Sequence, residues 1–134
     1  MSPYQIDWLP NEHVIVGKLH LGYDARRDTQ SVSRRLSNVL NTSDKPVPAI
    51  LDLSDFSAHT RNAALNALAK GSFEALRHPK LIELLIVDNG ISMPLDSPTV
   101  PARIAGRTTR HFSSMRAALD YARDKYSTLQ LSVN

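Results

Sequence analysis

Acidic, hydroxyl and imidazole side chains crowd the segment that follows an apolar run in the middle of the chain. The run 48–53 contains Asp52, and a second apolar run, 81–87, ends directly before Asp88 and Asn89. Carboxylates and a histidine that meet in one crevice can transfer protons, and arginines beside them can hold an anion. The candidate site residues are Asp52, Ser54, Asp55, Ser57, His59, Asp88, Asn89, Arg103 and Arg107.

Two interpretations of this set stay open. As an enzyme, the chain would be a small hydrolase or transferase that uses Asp52, Asp55, His59 and Asp88. Alternatively, the same residues only satisfy backbone groups at strand ends and cap the following helix, because short polar side chains bond readily to nearby N–H groups. Spacing alone shows no pairing among them.

The position of these residues depends on two predicted strands. Residues 48–53 and 81–87 are short apolar runs, which favour central strands over helices. If these strands are parallel, their carboxyl ends lie at one edge of the sheet, where ligands of α/β proteins bind. A polar turn at 54–60 follows the first of them. A short helix near Val100–Gly106 would carry Arg103 and Arg107 over the crevice.

The first half of the chain predicts a β-hairpin and a helix. Tyr4–Leu9 alternates apolar and polar side chains, and His13–Leu21 forms the second strand of the hairpin. Between Ala25 and Leu40 apolar residues recur three and four positions apart, which indicates an amphipathic helix with Asp24 as its N-cap.

The second half predicts shorter elements. A helix runs from Arg61 to about Ala69, and the prolines of Gly90–Pro101 predict an irregular segment of variable conformation. A brief strand at Thr109–Phe112 precedes a final helix that begins at Ser113 or Ser114, and residues 127–134 are expected to fray.

This element order predicts one α/β domain over residues 1–134. Helices between consecutive strands need crossover connections, which favour parallel pairing of the last four strands. The first strand then forms an antiparallel edge. The predicted fold is a mixed five-stranded sheet, with an N-terminal antiparallel hairpin followed by βα units.

Composition and motifs exclude several classes of protein. With 42% hydrophobic and 22% charged residues, the 134-residue chain is close to the globular average, which excludes intrinsic disorder. The lack of cysteine excludes disulfides and thiolate zinc sites, and the five histidines lack the spacing of paired helical metal ligands. We therefore expect no metal and no cofactor. No apolar run reaches the ~20 residues of a membrane helix, so a cytoplasmic protein is expected.

Net charge points weakly to an anionic partner. The formal charge is +3, and residues 103–116 hold four arginines and no acid, namely Arg103, Arg107, Arg110 and Arg116. An electrostatic binder of nucleic acid or of anionic surfaces is therefore a third functional class. Nucleic acid is the less favoured partner, because its binders carry larger charge imbalances and recognisable motifs.

Several short motifs resemble those of a known family. The segments are Tyr4-Gln5-Ile6-Asp7-Trp8, Ile50-Leu51-Asp52-Leu53, Arg77-His78-Pro79 and Phe112-Ser113-Ser114. Together with the element order, they resemble the STAS domains of bacterial anti-sigma-factor antagonists, and more closely the uncharacterised stand-alone bacterial proteins of SpoIIAA-like fold. The resemblance implies a SpoIIAA/STAS-like fold and a non-catalytic binding or regulatory module, with a protein partner or a small ligand.

The chain departs from this family at its regulatory serine. Regulatory STAS domains carry an Asp-Ser-Ser-Gly-like stretch at the start of the helix after the third strand, and the corresponding stretch here is Thr60-Arg61-Asn62-Ala63. We therefore expect no serine phosphorylation at this helix. Thr60 is the one hydroxyl that could take its place.

The N-terminal hairpin offers a second partner surface. Trp8, the single tryptophan, shares a strand face with Tyr4 and Ile6. These side chains either enter the core or form an interface, because an edge strand with large apolar groups can pair with another subunit. A homodimer through this hairpin is a possible assembly.

Overall fold

The computed structural model describes residues 3–9, 13–67, 73–88, 101–104 and 107–131. Within these residues, six strands form one sheet: β1 (Tyr4–Trp8), β2 (Ile15–Leu19), β3 (Val47–Asp52), β4 (Leu81–Val87), β5 (Pro101–Ile104) and β6 (Arg107–Phe112). The helices are α1 (Ala25–Leu40), α2 (Ala58–Ala67) and α3 (Met115–Leu131), with a 3-10 turn at Glu74–Arg77.

The sheet is mixed, and its strand order is β1-β2-β3-β4-β6-β5. β2, β3, β4 and β6 pair in parallel, while β1 and β5 pair antiparallel at the two ends. The α/β class, the parallel arrangement of four strands and the antiparallel first strand are therefore confirmed.

The prediction of a short helix near Val100–Gly106 is wrong, because Pro101–Ile104 forms β5. This strand pairs with β6 from Pro101↔Arg110 to Ile104↔Arg107 and adds a sixth strand to the five predicted. A single helical turn is marginal on its own, whereas a hairpin satisfies the backbone groups of β6. The segment Gly90–Pro101 was expected to vary in conformation. Its residues 90–100 lie outside the described part of the chain.

Two other predicted boundaries move. α2 begins at Ala58 rather than Arg61, because the Ser57 Oγ accepts the Thr60 N–H at 3.3 Å and caps the helix three residues early. α3 reaches Leu131, past the predicted fraying at 127. The predicted cap of α1 is confirmed, since the Asp24 carboxylate accepts the N–H groups of Arg26 and Arg27.

Two apolar layers hold the helices to the sheet. α1, α2 and the 3-10 turn cover one face, where Leu36, Leu51 and Phe73 are buried. α3 covers the other face, where Leu85, Phe112 and Ala122 are buried. Leu84, Leu85 and Ile86 have no exposed surface, which confirms β4 as a central strand. No helix in the described part of the chain is long and apolar enough to cross a membrane.

Candidate functional site

The carboxyl ends of β3, β4 and β6 meet at one edge of the sheet. Backbone pairing continues one residue past the strands, since the Leu53 N–H donates to the Val87 carbonyl and the Asp88 N–H to the Phe112 carbonyl, both at 2.8 Å. These bonds place Asp52 and Asp88 on neighbouring strand ends, where the sequence predicts them. We call this region the carboxyl edge.

Asp52 is neutralised by a residue that the sequence prediction missed. Lys18, near the end of β2, lies 3.4 Å from Asp52 and 3.5 Å from Asp55 and bridges the two carboxylates. The His20 Nδ1 lies 4.0 Å from the other oxygen of Asp55. Asp52 is almost fully buried, whereas Lys18, His20 and Asp55 are each about one-third exposed. The outer part of this group can therefore meet a partner.

Asp88 forms a second, more enclosed ion pair. The Arg61 Nε lies 2.9 Å from Asp88 Oδ2, and its Nη1 donates to Oδ1 at 3.3 Å. Both side chains are largely buried, with 17% of Arg61 and 3% of Asp88 exposed. A bidentate arginine–carboxylate pair of this kind fixes α2 to the end of β4.

His111 adds an imidazole on the same side of the sheet. It pairs in register with Ile86, two residues before Asp88, and its Nε2 lies 3.4 Å from the Thr109 hydroxyl. Burial lowers the pKa of His111, and the negative charge of Asp88 opposes this shift only in part. The surroundings of His111 therefore favour the uncharged form of the imidazole.

The loop between β3 and α2 holds the predicted hydroxyls. The Ser54 N–H donates to Asp52 Oδ1 at 2.9 Å, so Asp52 also closes this turn. Phe56 stacks on Tyr23 with ring centroids 5.6 Å apart and anchors the loop to the core. Ser57 caps α2, and His59 is exposed on its first turn.

The structure thus assembles part of the predicted set. Asp52, Ser54, Asp55, Ser57, His59 and Asp88 all lie at the carboxyl edge. Asn89 lies outside the described residues, and the side chains of Arg103 and Arg107 do too, although their backbones belong to β5 and β6. The expected helix above the crevice is absent at 101–104.

Lys18, Arg61 and His111 are members of this edge that sequence reasoning missed. Lys18 carried a usable signal, because it is a charged residue near the carboxyl end of a predicted strand that neighbours β3. Arg61 and His111 carried none. Their contacts depend on where α2 begins and on the register of β6, which only the folded chain defines.

A separate buried charge lies between the sheet and α3. Val47 pairs with Leu81 and Ala49 with Leu84, so a single residue of β3, Pro48, lies opposite two residues of β4. This bulge lies opposite Pro48, which has no N–H to pair, and it turns Glu83 toward α3. Bulges re-aim side chains in this way at many sites.

Four donors surround the Glu83 carboxylate. The Tyr126 hydroxyl donates at 2.6 Å, the Tyr121 hydroxyl at 2.9 Å and the Arg110 Nε at 2.9 Å, and the Lys125 Nζ lies 3.3 Å away. Burial alone would raise the pKa of Glu83, but the tyrosine hydrogen bonds and the charge of Lys125 outweigh it and the pKa is lowered. Burial and the same carboxylate raise the pKa of Tyr126.

This cluster has a structural role. Every polar atom of the Glu83 side chain has a partner, so the group fastens α3 to β4 and β6. Arg110 belongs to the four arginines predicted as an electrostatic surface, yet it is bound to Glu83 with 22% of its side chain exposed. Its charge is therefore largely compensated inside the fold.

The acidic side chains of the carboxyl edge are paired with basic ones. Each of its described carboxylates, on Asp52, Asp55 and Asp88, forms an ion pair with a lysine or an arginine. Among the described residues, no group of three or more histidine and acidic side chains converges as a metal site would require.

Comparison of the chain with known protein families, with curated proteins and with solved structures finds no match.

Proposed function

We propose that this protein is a non-catalytic binding module whose carboxyl edge engages a protein partner. The observation that carries the proposal is the ion pairing of the acids. Lys18 bridges Asp52 and Asp55, and Arg61 holds Asp88, so the carboxylates that an enzyme would use are already occupied.

The exposed rim of this edge has the chemistry of a protein interface. Lys18, His20, Asp55, Ser57 and His59 present both charge signs and several hydrogen-bonding groups around the end of the sheet. Polar rims of mixed charge surround many protein–protein contacts, where they set orientation and partner choice. A small anionic ligand would instead need positive charge in excess, and here the lysine is shared by two acids.

We further propose that the sheet belongs to the SpoIIAA/STAS-like class. The order of elements and the short motifs support this, and the regulatory members of that class carry a phosphorylated serine at the start of the helix after the third strand. The hydroxyl that caps α2 in this chain belongs to Ser57 rather than to Thr60.

An enzyme is the second candidate, favoured by His111. An uncharged, half-buried imidazole in the field of Asp88 is a suitable general base. It would replace His59, which is exposed and makes no hydrogen bond within the described residues. This candidate predicts that His111→Ala abolishes an activity while the fold persists.

Site-specific photo-cross-linking in the host cell tests the leading proposal. A benzophenone amino acid placed at His59 should capture one protein in a defined ratio, and the cross-link should disappear when Asp55→Lys is added. The matched control carries the probe at Glu74, which is exposed on the 3-10 turn away from this edge. Equal capture from both positions, or none from position 59, would contradict a partner at the carboxyl edge.

A further inference from the structure

The edge strand β1 has backbone groups that face away from the sheet. The His20 N–H donates to the Pro3 carbonyl and the Leu9 N–H to the Val14 carbonyl, both at 2.8 Å. Because hydrogen-bonded pairs alternate along an antiparallel ladder, residues 5 and 7 bond to β2, whereas Ile6 and Trp8 direct their N–H and carbonyl groups outward.

Charged side chains cover these outward groups in place of a neighbouring strand. The Arg35 Nε, on α1, donates to the Ile6 carbonyl at 3.3 Å, and the Asp7 carboxylate accepts the Trp8 N–H at 3.0 Å. Tyr4, Gln5, Ile6, Asp7 and Arg35 line an open groove of about 570 Å³ along this edge. Both side-chain bonds are ones that an incoming strand can replace.

The two charges lie on opposite faces of the sheet. Ile6 is buried against the α1 layer, so Arg35 approaches β1 from that face. Gln5 and Asp7 alternate with Ile6 and lie on the other face. Neither Arg35 nor Asp7 has an oppositely charged partner among the described residues. A strand added here therefore meets a positive charge on one face and a negative charge on the other.

A second copy of this chain fits this edge poorly. Antiparallel pairing about Ile6 would place both copies of α1 on one face of a continuous sheet, with the two Arg35 side chains beside the two-fold axis. Like charges so placed oppose the pairing. The occupant should instead carry an acid opposite Ile6 and bases at the flanking positions.

We propose that β1 accepts an extended peptide of another protein as an added strand, with an acidic residue opposite Ile6 and basic residues on both sides of it. The peptide backbone takes over the Ile6 carbonyl from Arg35, and the released guanidinium pairs with the acidic side chain. Strand addition of this kind derives affinity from main-chain bonds and specificity from alternate side chains. The proposal does not depend on the carboxyl edge.

Two synthetic peptides test the charge pattern. The sequence of acetyl-Thr-Val-Lys-Glu-Lys-Val-Thr-amide is palindromic, so it presents the same charge pattern whether it pairs parallel or antiparallel to β1. The control peptide has Glu-Lys-Glu in place of Lys-Glu-Lys. NMR titration of the amide resonances should show saturable shifts confined to β1 and its groove. The first peptide should bind about fivefold or more tightly than the control. Non-specific attraction predicts the reverse order, because the protein carries a net charge of +3.

Charge reversal on α1 is the second part of the experiment. Arg35→Glu should invert the preference between the two peptides. Arg34→Glu, the same change at the exposed neighbouring position, should leave it unchanged, with thermal unfolding showing that both variants fold. The proposal is overturned if millimolar peptide causes no shift at β1, if the control peptide binds as tightly, or if sedimentation shows that the wild-type protein pairs with itself through β1.

Discussion

Replacing Glu83 with glutamine keeps the size of the side chain and removes its charge. Tyr126 and Tyr121 can still donate to the remaining amide oxygen, but the new NH₂ group faces the Arg110 Nε donor 2.9 Å away. Lys125, 45% exposed, contributes little because solvent screens its ion pair. Hydrogen bonds to a buried charged group contribute about 1.5–3 kcal/mol each. We therefore expect Glu83→Gln to lower the free energy of unfolding by about 2–4 kcal/mol.

Urea denaturation followed by circular dichroism measures this loss. Glu74→Gln is the matched control, because this glutamate is exposed and its replacement should change stability by less than about 0.5 kcal/mol. A double-mutant cycle with Tyr126→Phe should give a coupling of about 0.5 kcal/mol or more. A loss under about 1 kcal/mol for Glu83→Gln would refute the view that this carboxylate fastens α3 to the sheet.

Three further predictions concern the charge of Glu83, the core side chain of Leu85 and the close packing at Gly17. The pKa of Glu83 is lowered by folding. Its charge therefore stabilises the fold above the ordinary pKa of about 4.3, and this contribution is lost as pH falls through the folded-state value. In acid-denaturation curves, the stability difference between wild type and Glu83→Gln should shrink below about pH 4. Leu85→Ala should cost about 2–5 kcal/mol in urea denaturation, because the side chain is fully buried in β4, whereas Leu21→Ala, at a site 78% exposed, should cost under about 0.5 kcal/mol. Gly17→Ala should destabilise the protein by about 1–3 kcal/mol, since the new Cβ would lie 2.9 Å from Leu51 Cδ2 and 3.2 Å from Ile6 Cγ1. Gly22→Ala should be neutral or stabilising, because no atom lies within 4 Å of its Cβ. Equal thermal shifts in the two glycine variants would contradict this packing.

The pattern of apolar residues predicted most of the strands, because the burial of each strand determines that pattern. β4 is buried on both faces, so every residue of Leu81–Val87 except Glu83 is apolar, and such a run admits few other structures. Residues 101–104 carry no comparable pattern. Their conformation follows from pairing with β6, a tertiary contact that the local sequence does not encode.

The candidate site was predictable only in part for a related reason. Asp52 and Asp88 could be placed from strand ends alone, because parallel strands bring their carboxyl ends together. Their partners Lys18 and Arg61 come from elements distant in sequence, and spacing does not reveal which base faces which acid. Glu83 was missed because its position depends on a bulge opposite Pro48, and a single charge within an apolar strand does not reveal one.

We propose above that the carboxyl edge binds a protein partner. The most direct test is the affinity of the protein captured from position 59, measured by isothermal titration against wild type and Asp55→Lys. We expect Asp55→Lys to weaken binding by about tenfold or more, since one exposed charge at the rim is reversed, while Glu74→Lys changes nothing. An affinity that Asp55→Lys leaves unaltered would contradict this proposal.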